Sequence, residues 1–180
     1  MKRSQKPTGV INVTTPIDDE VIHTLKIGDQ IEIQGSIYCG RDAVLPRLAK
    51  LFLDNRLDGI KVDLKGAVIF HSAVSPAGIG PTTSSKVEIE GSIPTLSRAG
   101  VKIHLGKGAL SRDTAKALAE NNALFAITPP VSALFADKIV EQRVAAFREE
   151  GMEALYEMKV KGLPAIIAIA HGKSIFMGQT

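Results

Sequence analysis

The chain has 180 residues, 44% of them hydrophobic and only 4% aromatic, so it can bury a core without staples and must build it from Val, Ile, Leu and Ala, as α/β proteins with buried strands do. The net charge of +3 is spread thinly, with Lys and Arg interleaved among Asp and Glu, which argues against a nucleic-acid partner and suits an anionic small molecule equally well. A single cysteine, Cys39, excludes an intrachain disulfide and is too few for this chain to hold an iron–sulfur cluster by itself.

Residues 1–8 are polar with a Pro and read as a disordered N-terminal arm. They are basic, but no apolar run follows, so neither a signal peptide nor a membrane span is expected. The lone cysteine favours a reducing compartment, and a cytoplasmic location is the default. Residues 9–180 read as a single domain. Gly9 to Val13 reads as a first strand ended by Thr15-Pro16, and a polar turn leads to Gly28-Asp29. From Gln30 to Tyr38, Ile31, Ile33 and Ile37 alternate with polar neighbours, the mark of a half-buried strand. Val44, Leu45, Leu48, Leu51 and Phe52 then fall at helical spacing, with Asp42 as the expected N-cap and Pro46 tolerable only in the first turn.

Ala67 to His71 reads as a buried strand. Residues 72–85, rich in Ser, Gly, Pro and Thr, read as a long loop of the functional kind. Val101 to Leu105 is the next strand, ended by Gly106-Lys107-Gly108. Ser111 is the expected cap of a helix running through Glu120. Ala123 to Ile127 reads as a strand, and Thr128-Pro129-Pro130 turns into a helix near Val131 to Ile139. Strands follow near Ile139–Ala145, Ala154–Val160 and Leu163–Ala170, then a turn at His171-Gly172. The alternation of strands and helices with short hairpins near the end points to a mixed sheet.

Three stretches could carry chemistry. Cys39-Gly40-Arg41-Asp42 lies at a strand-to-helix junction, where backbone N–H groups attract anions and Arg41 could fork onto a carboxylate. The competing reading is a surface Arg paired with Asp42. Gly78-Ile79-Gly80-Pro81-Thr82-Thr83-Ser84-Ser85-Lys86 offers glycines for close backbone approach, four hydroxyls and a cation. The same residues could simply cap a helix. Gly106-Lys107-Gly108 puts a lysine at a strand end, either for a ligand at the sheet edge or as an ordinary turn; it lacks Walker spacing. His23, His71, His104 and His171 are scattered without metal-ligand spacing. His71 and His104 fall in strands and read as core or cleft-wall residues. Cys39 reads as a small buried thiol.

The series Gly28-Asp29, Arg41-Asp42-Ala43, Leu64-Lys65-Gly66-Ala67-Val68, Gly80-Pro81-Thr82-Thr83-Ser84, Gly106-Lys107-Gly108, Gly151-Met152-Glu153-Ala154, Leu163-Pro164 and His171-Gly172 resembles the β subunit of class I fumarases and L-tartrate dehydratases. It equally resembles the C-terminal domain of the single-chain enzymes. The resemblance runs from about residue 10 to about residue 176. It implies an α/β fold of the swivelling β/β/α type, with a mixed sheet or barrel-like β core flanked by helices. It also implies a partner α subunit whose cysteines bind a 4Fe-4S cluster, with none bound by this chain, and assembly into a higher αβ oligomer. The implied reaction is reversible addition of water to a small dicarboxylate, with the cluster as Lewis acid.

Position by position, the resemblance makes Arg41 a substrate-carboxylate ligand and Thr82 the residue that moves the proton at carbon. Thr83 becomes a hydrogen-bonding neighbour, and Lys107 a substrate contact. A threonine can act as base only where nearby cations stabilise its alkoxide; Lys86 and Lys107 are the candidates. Two positions depart from the family pattern. Leu45 stands where the family carries His, and Lys86 stands where it carries Arg, keeping charge but losing the two-pronged geometry. These departures support an alternative, a non-catalytic binding or assembly module that retains the fold. A third reading is an independent cofactor-free lyase.

Overall fold

The computed structural model describes residues 9–75, 78–82, 86–129 and 135–177, with positions 75, 78–82, 86 and 88 described through their backbone alone. The strands are β1 (Ile11–Thr14), β2 (Gln30–Gly40), β3 (Val68–Ser75), β4 (Gly78–Thr82), β5 (Ile103–Gly106), β6 (Leu124–Ile127), β7 (Ile139–Ala146), β8 (Leu155–Ala170) and β9 (Lys173–Ser174). The helices are α1 (Asp19–Thr24), α2 (Leu45–Leu53), α3 (Lys86–Arg98) and α4 (Arg112–Glu120). The expected arm over 1–8 and residues 131–134 of the expected helix near 131–139 lie outside the described residues; of the rest, Phe135 and Ala136 are helical, a turn follows, and Ile139 already opens β7.

The strands form one nine-stranded sheet. β2, β3, β5 and β6 run parallel in that order. β8 then pairs antiparallel with β6 on one side and with β2 on the other, so the sheet closes on itself. β1 lies parallel to the first half of β2, and β7 runs antiparallel to β8. The result is a mixed α/β protein with a closed, barrel-like core.

Alternate residues of each strand point inward. Ile31, Ile33, Ile37, Cys39, Val68, Phe70, Ile103, Leu105, Leu124, Ala126, Met158, Val160 and Leu163 fill the interior. Phe135 meets Phe70 edge-on at 5.6 Å between ring centres. The other faces of the same strands carry a second apolar layer, covered by the helices that link them. Leu45 and Leu48 of α2 and Leu96 of α3 pack over Tyr38 and Ile69. Ile89 and Ile93 of α3, with Ala115 and Leu118 of α4, pack over Phe125 and Ile169. The parallel pairs β2–β3, β3–β5 and β5–β6 are each joined through a helix on this outer face, whereas α1, between β1 and β2, packs Ile22 into the interior cluster.

Several elements differ from the sequence reading. The stretch 72–85 is not all loop: β3 runs on to Ser75 and β4 returns antiparallel, with Ser72 opposite Thr82 and Val74 opposite Ile79. Gly and Pro there mask a hairpin whose stability comes from backbone pairing. α3 went unpredicted because Gly91 and Pro94 break its local propensity. Its buried Ile89, Ile93 and Leu96 override that penalty by packing. α1, a short helix with one buried side chain, Ile22, was read as a turn. The two late strands are one bent strand, β8, whose register with β2 skips Gly162 at a bulge; the Gly162 amide donates to Gln34 Oε1 at 2.9 Å. Asp42 caps nothing: Val44 sits at the α2 N-cap position with no side-chain cap, and Pro46 does fall in the first turn. Ser111 caps α4 as expected, its Oγ accepting from the Thr114 amide at 3.2 Å.

One polar chain crosses the outer layer. His71 of β3 and His104 of β5 are fully enclosed, and His71 Nε2 lies 3.1 Å from His104 Nδ1. His104 Nε2 in turn lies 2.9 Å from Ser97 Oγ on α3. One imidazole must donate and the other accept, so the accepting ring is neutral. Burial lowers the His71 pKa from 6.5 to about 4, and burial with the neighbouring ring lowers that of His104 well below its usual value.

Two predictions arise here. Between pH 6.5 and 4 the unfolded chain binds protons at His71 that the folded chain refuses, so stability is full above 6.5 and falls as the pH drops through that window. The His71 share of this loss is on the order of 3 kcal/mol; urea unfolding across the window measures it, and ring ¹⁵N shifts of imidazolium type at pH 5.5 would refute it. Gly35 has φ +98°, and a Cβ there would stand 2.4 Å from Thr15 Oγ1 and 3.2 Å from the Thr15 carbonyl oxygen. Gly35→Ala should therefore destabilise by about 2–5 kcal/mol. Gly28→Ala, with φ +86° but open space around it, should lose only about 1 kcal/mol. Equal melting temperatures for the two variants would contradict the packing argument.

Candidate functional site

The parallel strands place their C-terminal ends on one rim of the barrel, where ligands of α/β proteins bind. Strand register sets the level of each residue on that rim. Gly40 of β2 pairs with His71 of β3. Phe70 of β3 pairs with Leu105 of β5. Continued past its last pairs, by one residue from Gly40 and by two from Leu105, this register puts Arg41 and Lys107 at the level of Ser72. Ser72 is also the residue opposite Thr82 on the returning strand β4.

Arg41 leaves β2 just before a turn in which its own carbonyl accepts from the Val44 and Leu45 amides at 3.1 and 2.9 Å. Its Nε is buried with no hydrogen-bond acceptor among the described residues. Asp42 Oδ1 lies 3.5 Å away, close enough for charge attraction but without hydrogen-bond alignment. The side chain keeps 27% of its surface exposed. Arg41 thus lies beside Asp42, as the competing reading has it, and its Nε is a donor without an acceptor among the described residues.

Lys107 is exposed in the loop after β5. Lys86 is the first residue of α3, and Thr82 the last of β4; the side chains of both, and all of Thr83, lie outside the described residues. The register thus brings Arg41, Thr82 and Lys107 to one rim by backbone position.

Leu45, at one of the two departures from the family pattern, is 1% exposed and packs in the layer beneath α2. Its Cδ2 would lie 3.2 Å from a Cβ placed on Gly40. Its side chain thus packs directly beneath the residue that precedes Arg41, and its amide bonds the Arg41 carbonyl. Cys39 is wholly buried inside the barrel, and burial pushes its thiol up, away from the thiolate a metal needs. Among the described residues no group of His, Cys, Asp and Glu could hold a metal ion, so the side chains described do not fit a cluster. No described helix is long and apolar enough to cross a membrane.

The sequence reading missed two supports of this rim. His71 and His104 are core residues in strands, as the sequence reading has them, but their link to each other and to Ser97 went unread; parity within two adjacent parallel strands was the available signal. Glu90 was missed with the helix that carries it. Its carboxylate accepts from the Ser111 amide and hydroxyl, both at 2.7 Å, and from the Thr114 hydroxyl at 2.9 Å.

Comparison with known proteins agrees with this architecture. The family model described as Fumarase C-terminus matches residues 1–179. A protein of Escherichia coli K12 named L(+)-tartrate dehydratase subunit beta is 31% identical over 91% of this chain and 85% of its own length. A Methanocaldococcus jannaschii protein named for the same subunit is 27% identical over 86% of this chain and 85% of its own. A Geobacillus stearothermophilus protein named as a class I fumarate hydratase is 31% identical over 92% of this chain, which spans 33% of that longer protein. With a matching family model over nearly its whole length and a closed mixed barrel whose strand ends carry the motif residues, the chain belongs to the fumarase C-terminus family.

Proposed function

We propose that this chain is the β subunit of a heteromeric iron–sulfur hydro-lyase, acting in the cytoplasm within a higher αβ oligomer. It adds or removes water on a small dicarboxylate such as fumarate or malate, tartrate or a related hydroxy diacid. An α partner brings the 4Fe-4S cluster, and this chain supplies carboxylate-binding and proton-transfer residues. The observation that supports the reading is the strand register: Ser72, opposite Thr82, follows directly on the partner of Gly40, the residue before Arg41, and stands two residues beyond the partner of Leu105, which is two residues before Lys107. The unsatisfied Arg41 Nε supports it, as do the names of the relatives.

In this reading Arg41 holds one substrate carboxylate by charge and paired hydrogen bonds. Lys107 and Lys86 offset the remaining negative charge, with Thr83 as a hydrogen-bonding neighbour. Thr82, as an alkoxide stabilised by those cations, takes the proton from the carbon beside the hydroxyl-bearing one as hydroxide departs during dehydration, and returns it as hydroxide adds during hydration. Leu45 is a core residue, so at that position this chain packs an apolar side chain where the family pattern has an imidazole. Lys86 remains the change most directly tied to carboxylate geometry.

The chain expressed alone should be colourless and fail to hydrate fumarate; co-expressed anaerobically with a cysteine-bearing α partner, the complex should convert at least one small hydroxy diacid. A brown chain carrying iron by itself would overturn the division of labour. In the active complex, Thr82→Ala should lower kcat by roughly 10²–10⁴-fold while KM changes little, and unchanged turnover would remove Thr82 from the mechanism. Arg41→Lys should chiefly raise KM, by about 1–3 kcal/mol of lost binding.

A further inference from the structure

The Lys107 loop runs from Gly106, the last residue of β5, to Ser111, the cap of α4. Its first end is fixed by sheet pairing, with Gly106 opposite Ile127. Lys107, Gly108 and Ala109 are exposed, and Leu110 is buried beside Ala115 and Leu118. What fixes the other end is Glu90. One carboxylate takes the amide and the hydroxyl of Ser111 on separate oxygens, so residue 111 is held in both position and orientation. The Thr114 hydroxyl adds a third bond. The carboxylate also faces the positive N-terminal end of α4, where an anion is favoured.

Glu90 sits one turn into α3 from Lys86. The same α3 is tied to the sheet two turns later through Ser97 and His104. The helix is therefore fixed at one end against β3 and β5 and at the other against the Lys107 loop.

We propose that Glu90 is a positioning residue, which sets the Lys107 turn against the start of α3 through its carboxylate bonds to Ser111 and Thr114. The proposal rests on the hydro-lyase reading for its kinetic consequence, though not for its structural one. With Glu90 in place, Lys107 meets the bound diacid from a fixed direction. Without it, the far end of the loop keeps only the burial of Leu110 and the Ser111 cap of α4, and the lysine samples more positions, so uniform binding is lost more than the chemical step.

The test has two arms. On the full chain alone, Glu90→Ala should speed Ser111 amide hydrogen exchange at least tenfold and sharpen the Gly108 resonance, while strands β2 and β8 keep their protection. Glu90→Gln, which keeps an acceptor for the Ser111 amide, should restore most of that protection. In the αβ complex, Glu90→Ala should raise KM for the diacid about tenfold with kcat within twofold, and should add nothing in a Lys107→Ala background. Unchanged Ser111 exchange, or equal KM effects with and without Lys107, would overturn the proposal. A wild-type complex inactive on every diacid would instead defeat the functional reading, and the exchange arm would still decide the role of Glu90.

Discussion

The pairing of β2 with β8 is the constraint on which this molecule rests. β2 joins parallel neighbours on one flank and the antiparallel β8 on the other, and so turns an open sheet into a closed one. Closure removes edges from the central strands and encloses an interior of aliphatic side chains at every second position. It also fixes register. Parity that buries Ile31, Ile33, Ile37 and Cys39 leaves no freedom to slide by one residue, because a slip would turn that whole set outward. The levels of Arg41, Ser72 and Lys107 on the rim are thus consequences of core packing far from any ligand.

The outer layer extends the same logic. Three helices cover one face of the parallel strands, and α3 bridges two apolar clusters, with Leu96 in one and Ile89 and Ile93 in the other. Between them run the only enclosed imidazoles, His71 and His104, tied to Ser97. A buried polar chain of this kind tolerates few alternative arrangements. It specifies where α3 lies, while the apolar contacts supply most of the stabilisation.

Much of this was legible in the residues. Alternation marked β2, Ser111 announced α4, and the Gly-Lys-Gly turn marked the end of β5. The family resemblance, carried by short motifs in fixed order, named the class before any geometry was known. What failed did so where tertiary contacts overrule local preference. Pro94 removes the amide that would bond the Glu90 carbonyl, yet α3 forms because Ile89, Ile93 and Leu96 are buried on one stripe. Gly78 and Pro81 read as loop, yet they lie in a strand paired to β3. Asp42 looked like a cap but sits in a turn beside Arg41. Of the rim, the lysine, arginine and threonine positions were readable from motifs, whereas Glu90 was not, since its partners are about twenty residues away and no local pattern links them.

The rim is assembled from segments that are remote along the chain and are brought level only by strands spanning from Gln30 to Ala170. Such long-range pairings form slowly, because loop closure comes before contact reward. A nascent or half-folded chain therefore has no recognisable rim to offer. Any macromolecule that docks there can engage only the finished barrel, so the topology itself acts as a checkpoint between synthesis and assembly.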